Sequence, residues 1–178
     1  MQGLVALLDP QHNQQVLELW DILERRFSLK GARSFPYPHL SFTILEQYEP
    51  DAVEARLRQI AAGLAPFQFQ TAGLGVFTTP EPVIYLAVVR APALERVHHL
   101  LWQSFPPLTA ASRYYAPEHW VPHITLAVND LTRAQLPAVV AYLAEQEYHW
   151  EITCDSLTFA VETESGYEFR CGCALAGK

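Results

Sequence analysis

The chain is short of positive charge. Its 178 residues include 12 lysines and arginines against 19 aspartates and glutamates, which gives a formal net charge of −7 at pH 7. This surplus of negative charge repels a long phosphate backbone and argues against a general nucleic-acid coat protein, although one phosphate could still be held locally. Half of the residues are hydrophobic and 17% are charged, so the chain can bury a core and is not a disordered tail.

Cysteines are few and long apolar runs are missing. The three cysteines form no repeated pair, so we expect no disulfide framework and a reducing compartment; they are Cys154, Cys171 and Cys173. The longest apolar run, Val83–Val89, is too short to span a bilayer. No basic segment precedes Leu4–Leu8, so the layout of a signal peptide is not met. We therefore expect a cytoplasmic protein that does not bind a membrane.

The order strand, helix, strand, helix, strand occurs twice, at about residues 3–77 and 83–161. Apolar residues recur at helical spacing in the first helix of each unit, at Val16, Leu19 and Leu23 and at Leu94, Val97 and Leu101. The alternation alone would also suit a parallel doubly wound sheet. The duplication favours an α+β fold instead, with one bilobal domain over residues 1–178. We predict two pseudo-symmetric lobes around a central cleft, each a small, mostly antiparallel sheet with helices outside.

Two similar segments carry the chemistry. One reads Pro38-His39-Leu40-Ser41-Phe42-Thr43-Ile44 and the other reads Pro122-His123-Ile124-Thr125-Leu126-Ala127-Val128. Because side chains alternate across a strand, each histidine shares a face with the hydroxyl residue two positions later. The opposite faces are predicted to be apolar, with Leu40, Phe42 and Ile44 in the first segment and Ile124, Leu126 and Val128 in the second. Pseudo-symmetry would bring the two polar faces together in one cleft.

Two imidazoles and two hydroxyls suit displacement at phosphorus. A histidine titrates near pH 6.5, so one ring can remove a proton from the attacking oxygen while the other protonates the leaving oxygen. The hydroxyls can donate hydrogen bonds to the other phosphate oxygens. This set requires no metal ion and no cofactor. A zinc site would need three or four converging ligands, and the pair His119 and His123 straddles Pro122, which disfavours a helix there.

The paired H-x-[ST] segments resemble the motifs of the two-histidine phosphoesterase superfamily. That group contains the bacterial RNA 2′,3′-cyclic phosphodiesterases, also called 2′-5′ RNA ligases. The resemblance covers most of the chain and includes the glycine-containing strand at 72–77. It implies a bilobal α+β fold, metal-independent catalysis and a nucleotide or RNA-end phosphodiester as substrate. By position, it implies that His39 and His123 are the catalytic pair and that Ser41 and Thr125 bind phosphate; serine replaces the commoner threonine but keeps the hydroxyl.

The loops before the two motifs are rich in aromatic residues. Tyr37, Tyr115 and Trp120 could stack on a base, or they could pack the loops against the lobes. Arg113 is a further candidate for contact with phosphate.

The leading hypothesis is a metal-independent phosphodiesterase that opens 2′,3′-cyclic phosphates of RNA ends or nucleotides. By family analogy the product is a 2′-phosphate, and reversible 2′-5′ ligation is a related activity. One alternative is a nucleotide-binding module that keeps the same cleft without turnover, and another is a metal hydrolase. The sequence does not decide which histidine is the acid, and a monomer is the default expectation.

Overall fold

The computed structural model describes residues 2–107, 111–164 and 166–177. These residues form eight β-strands and four α-helices. In chain order they are β1 (Gln2–Leu7), α1 (Pro10–Phe27), β2 (His39–Leu45), α2 (Pro50–Ala62), β3 (Phe67–Phe77), β4 (Val83–Val88), α3 (Pro92–Ser104), β5 (His123–Ala127), α4 (Leu136–Leu143), β6 (Glu151–Cys154), β7 (Ser156–Thr163) and β8 (Gly166–Ala174). Within these described ranges, no helix combines the length and apolarity needed to cross a bilayer.

All eight strands join one antiparallel sheet in the order β6-β3-β4-β5-β2-β1-β7-β8. The two strands that carry the histidines, β5 and β2, are neighbours at its centre. They are aligned at a single pair, Leu40 with Ile124, so the sheet has a seam there. Four strands lie on each side of this seam, which gives the two pseudo-symmetric lobes. The predicted α+β fold is therefore confirmed.

The sequence repeats and the two lobes are not the same units. The last strand of the first repeat, β3, pairs with β4 and β6 in the other lobe. The last strand of the second repeat, β7, pairs in turn with β1. The segment near the end of the second repeat is divided at Asp155 into β6 and β7, which lie in opposite lobes. The last strand of each repeat thus belongs to the lobe that consists mainly of strands from the other repeat.

Helices of one repeat also pack on strands of the other. Each helix has a proline in its first turn, where the missing N–H costs nothing; the four are Pro10, Pro50, Pro92 and Pro137. Helix α1 packs on β5, α3 packs on β2 and β3, and α2 packs on β7 and β8. Beneath them Leu40, Phe42, Ile124 and Leu126 are almost completely buried. The first two residues of each predicted apolar face are therefore buried as expected, and the faces that carry the histidines are directed away from the core.

A β-bulge then interrupts the alternation at the same place in both histidine strands. Against β1, the alignment passes from Ser41 directly to Thr43; against β4, it passes from Thr125 directly to Ala127. One extra residue on a strand turns the following side chains to the other face. The prediction that Ile44 and Val128 lie on the apolar faces is therefore wrong, because both line the cavity that contains the histidines.

Candidate active site

Each histidine is the first residue of its strand and is held by a backbone carbonyl two residues earlier. Nδ1 of His39 lies 2.9 Å from the carbonyl oxygen of Tyr37, and Nδ1 of His123 lies 2.7 Å from that of Val121. Because a carbonyl oxygen can only accept, Nδ1 carries the proton and donates in both cases. Each neutral ring therefore keeps its lone pair on Nε2. A proline stands between the histidine and this carbonyl in both motifs, and this shared signal could have marked both positions from the sequence.

The four predicted polar side chains occupy one patch of the sheet. Leu40 is aligned with Ile124 on the antiparallel neighbour, so one step either way places His39 opposite Thr125 and Ser41 opposite His123. Opposing Cβ atoms lie about 5 Å apart, and residues two positions apart on a strand are separated by roughly 7 Å. The two imidazoles therefore stand on one diagonal and the two hydroxyls on the other. A group at the centre can contact all four.

These four side chains line one cavity, the histidine cleft, with a volume of about 210 Å³. Its other walls include backbone and side chains of Gly3, Val5, Ser34, Phe35, Ile44, Tyr115, Val128 and Tyr167. No lysine or arginine is among the described residues that line it. A second cavity of about 440 Å³, the side chamber, shares Ile44, Tyr115 and His123 with the cleft.

Burial weakens the basicity of both rings. Loss of solvent lowers the pKa of His39 to about 4; the hydrogen bond to Tyr37 opposes this shift, and the charge of a protonated His123 adds to it. Burial also lowers the pKa of His123, against the effect of its bond to Val121. The two rings thus interact electrostatically, which disfavours protonation of both at once.

Aromatic side chains surround both imidazoles. The ring of Phe35 lies 4.1 Å from that of His39, between centroids. Beside His123 the rings of Phe77 and Tyr85 lie at 5.0 and 5.1 Å. These neighbours provide the apolar surroundings that lower the pKa values.

Gly75 on β3 is needed for the packing beside His123. It is aligned with Tyr85 on β4, and a Cβ atom at this position would overlap the Tyr85 ring. The ring therefore lies directly over a backbone that has no side chain there. A glycine at this position lets Tyr85 reach His123.

Two tryptophans hold the backbone of the hydroxyl residues. Nε1 of Trp120 donates to the carbonyl oxygen of Ser41 at 3.0 Å, and Nε1 of Trp20 donates to that of Thr125 at 3.2 Å. Each bond joins one repeat to the other: Trp20 and Ser41 belong to the first repeat, and Trp120 and Thr125 belong to the second. Sequence reasoning missed Trp20 because its spacing on α1 indicates only a buried helix face, and nothing local points to a carbonyl 105 residues away.

The remaining predicted substrate residues occupy different places. Tyr115 lines both cavities, and an interaction with the Ser41 side chain opposes the rise in the Tyr115 pKa that burial causes. Tyr37 is 45% exposed, its ring lies 4.9 Å from that of Phe169, and it is not among the residues that line the two cavities. Arg113 is exposed and lines neither cavity.

Trp120 borders the side chamber but is 2% exposed. Its ring is stacked on that of His98, with centroids 3.8 Å apart, and lies 6.1 Å from that of Phe42. This environment fits the alternative in which the aromatic residue packs its loop against the lobe, and contact of Trp120 with substrate stays a prediction.

The described residues contain no cluster of three or more histidine, cysteine, aspartate or glutamate side chains that could hold a metal ion. Cys171 and Cys173 lie with their Sγ atoms 3.6 Å apart, and both are buried. Burial raises the pKa of the Cys171 thiol to about 12, so it stays protonated.

Comparison with known proteins identifies the family. The family model of the 2′-5′ RNA ligase superfamily matches residues 8–166, a range that includes both histidine motifs. This chain belongs to that superfamily. The family that the resemblance implied is thus confirmed.

Two Geobacillus relatives are provisionally named phosphoesterases. The protein from Geobacillus sp. (strain WCH70) is 32% identical over 134 residues, and that from Geobacillus kaustophilus (strain HTA426) is 30% identical over 134 residues. The aligned region covers 72% of this superfamily member and 72% of each relative.

Two solved structures share the fold. TT0787 of Thermus thermophilus has a TM-score of 0.70 at 15% identity, covering 99% of this chain and 98% of its own. LigT of E. coli, solved with NADP+, has a TM-score of 0.58 at 15% identity, covering 98% and 96%. At this identity the likeness extends to the fold alone.

Proposed function

We propose that this superfamily member is a metal-independent phosphodiesterase that opens 2′,3′-cyclic phosphates of RNA ends or nucleotides to 2′-phosphates. Reversible 2′-5′ ligation would use the same chemistry in the other direction. The observation that carries this proposal is the patch in which His39, His123, Ser41 and Thr125 surround one cavity. Its support from relatives is the superfamily itself and the phosphoesterase names of the Geobacillus proteins.

The reaction follows from the diagonal arrangement. One neutral imidazole accepts a proton from water at Nε2, and the water oxygen forms a bond to phosphorus. The bond from phosphorus to the 3′ oxygen breaks on the opposite side, and the second imidazole, protonated, gives its Nε2 proton to that oxygen. The carbonyl bonds at Nδ1 keep both rings directed at the anion throughout.

The hydroxyls serve the phosphate oxygens that do not react. Ser41 and Thr125 lie on the other diagonal, where their O–H groups can donate to these oxygens. Their backbone is held by indole N–H groups, so little reorganisation is needed when charge develops.

The charge of the cleft favours a diester over a monoester. Without a lysine or arginine among the described lining residues, the positive charge available is that of one protonated imidazole. A cyclic phosphate carries one negative charge, which one protonated imidazole neutralises. A phosphate monoester carries close to two near neutral pH and would leave part of its charge uncompensated in a partly buried site.

The side chamber provides space for the nucleoside. It opens beside His123, and Phe77, Val83 and Tyr115 contribute apolar and aromatic walls. Stacking of a base on such a surface is worth about 1–3 kcal/mol and does not depend strongly on which base is bound. We therefore propose limited base preference.

The test is turnover of 2′,3′-cyclic mononucleotides and of short RNA with a 2′,3′-cyclic end, in EDTA, with product identity read by phosphorus NMR. The wild-type protein should form 2′-phosphates, and His39→Ala and His123→Ala should each reduce the rate by about 10²-fold or more. His149→Ala is the matched control, since His149 is exposed and away from both cavities.

Two results would overturn the proposal. One is a wild-type protein that binds these nucleotides and returns them unchanged, as a non-catalytic binding module would. The other is activity that survives both histidine substitutions while circular dichroism shows intact folds.

A further inference from the structure

We infer that His98, a buried histidine of α3 outside the cleft, is a positioning residue that holds Ser41 in place; this inference rests on the proposed function. His98 is 1% exposed and lies on a helix face that otherwise buries Leu94, Val97 and Leu101. A buried polar ring among apolar neighbours is costly unless it has a partner, so its contacts matter.

The edge of the ring holds one end of a loop segment. Nε2 of His98 lies 2.9 Å from the carbonyl oxygen of Tyr115, so Nε2 carries the proton and donates. Nδ1 is then an unprotonated acceptor, and it is buried with no partner among the described residues. This tautomer, neutral and donating through Nε2, agrees with burial lowering the pKa of His98 to about 4.

The face of the ring holds the other end of the same segment. His98 and Trp120 are stacked with their ring planes 2° apart and their centroids 3.8 Å apart. Residues 115–120 are thus attached to α3 at both ends, by a hydrogen bond and by a stacked pair. An irregular segment has many conformations, and these two attachments select one of them.

Both attached residues contact or adjoin Ser41. The indole of Trp120 donates to the Ser41 carbonyl oxygen at 3.0 Å, and Tyr115 lines the histidine cleft together with Ser41. Burial raises the pKa of Tyr115 to about 12, and the interaction with the Ser41 side chain opposes that rise, so the two side chains are close together. The other hydroxyl residue, Thr125, has its carbonyl held by Trp20 on α1 instead. The role of His98 is therefore specific to Ser41.

The test is a double-mutant cycle on kcat/KM with His98→Phe and Ser41→Ala. Phenylalanine keeps a ring for stacking but cannot donate to Tyr115. His98→Phe should lower kcat/KM about tenfold, the effect of weakening one hydrogen bond to a charged group. In the Ser41→Ala background it should change kcat/KM by less than about twofold, because the two substitutions act on one interaction.

Three further variants separate positioning from simple packing. His98→Gln restores a donor and should recover most of the activity. His99→Phe is the matched control, because His99 is the exposed neighbour on α3 whose Nδ1 contacts Glu95 of its own helix. If His98→Phe does not fold, Trp120→Phe replaces it in the cycle, since it removes the indole donor to Ser41.

The inference would be overturned if His98→Phe lowered kcat/KM by the same factor in the wild type and in Ser41→Ala. It would also be overturned if His98→Phe lowered the thermal stability and left kcat/KM unchanged. The same cycle is measured on the dissociation constant for a nucleoside 2′-monophosphate. An inactive wild-type protein would overturn the proposed function, while non-additive changes in this binding constant would still report on His98.

Discussion

The buried, neutral state of His98 predicts a measurable loss of stability in acid. At about pH 7 this histidine is neutral in the folded and in the unfolded chain, so it does not affect the pH dependence. As the pH falls below about 6.5, the unfolded chain binds a proton at this position while the folded protein does not until about pH 4. The unfolded state therefore gains stability relative to the folded state over this range.

The pKa values give the size of the effect. From about pH 7 to about pH 5, His98 alone should remove about 2 kcal/mol from the free energy of unfolding, because each pH unit within the window is worth about 1.4 kcal/mol. His39 should add a loss in the same direction, since burial lowers its pKa to about 4 as well. In His98→Phe the loss between the two pH values should be smaller than in the wild type by about 2 kcal/mol.

The assay is urea denaturation at both pH values, followed by circular dichroism. Comparing the pH-dependent difference within each variant removes any constant effect of the phenylalanine. His99→Phe, on the exposed side of the same helix, should lose nearly as much stability as the wild type, because burial lowers the pKa of His98 more than the charge of His99 does. If His98→Phe also loses as much as the wild type, the histidine is not held neutral by burial, and the hydrogen-bond assignment through Nε2 fails with it.

Two other predictions concern the cleft. Because burial lowers the pKa of both His39 and His123, kcat/KM should follow a bell-shaped pH profile with its maximum below about 6.5; a maximum at alkaline pH would contradict the assignment of these rings as acid and base. Gly75→Ala should cost about 1–3 kcal/mol in the free energy of unfolding and displace Tyr85 from His123, whereas Gly172→Ala, with no atom closer than 4.0 Å to the added Cβ, should cost much less. Thermal denaturation distinguishes these variants, and equal stability would mean that the Tyr85 ring can move aside freely.

The central part of the site could be predicted because it depends on short-range rules. Alternation along a strand is enough to place His39 with Ser41 and His123 with Thr125. The internal repeat then indicates that these two pairs converge. Both steps use residues within a few positions of one another, or two copies of the same pattern.

The errors arise where distant segments decide the outcome. Ile44 and Val128 turn into the cleft because of bulges whose extra residue shows only in the pairing with β1 and β4. The stacking of Trp120 on His98 of α3 could not be predicted from its position before a histidine motif, where base stacking and loop packing were both open. The exchange of β3 and β7 between lobes likewise depends on pairing across the whole chain, which no local pattern reports.

That exchange has a consequence for how the protein acquires its activity. Neither repeat can complete a lobe alone, because β3 finds its partners in the second repeat and β1 needs β7 from the far end of the chain. Pairings between such remote segments require closure of long loops and slow the search for the native state. Strand β7 must therefore be synthesised before the lobe that contains β1 and β2 can be completed around the paired imidazoles.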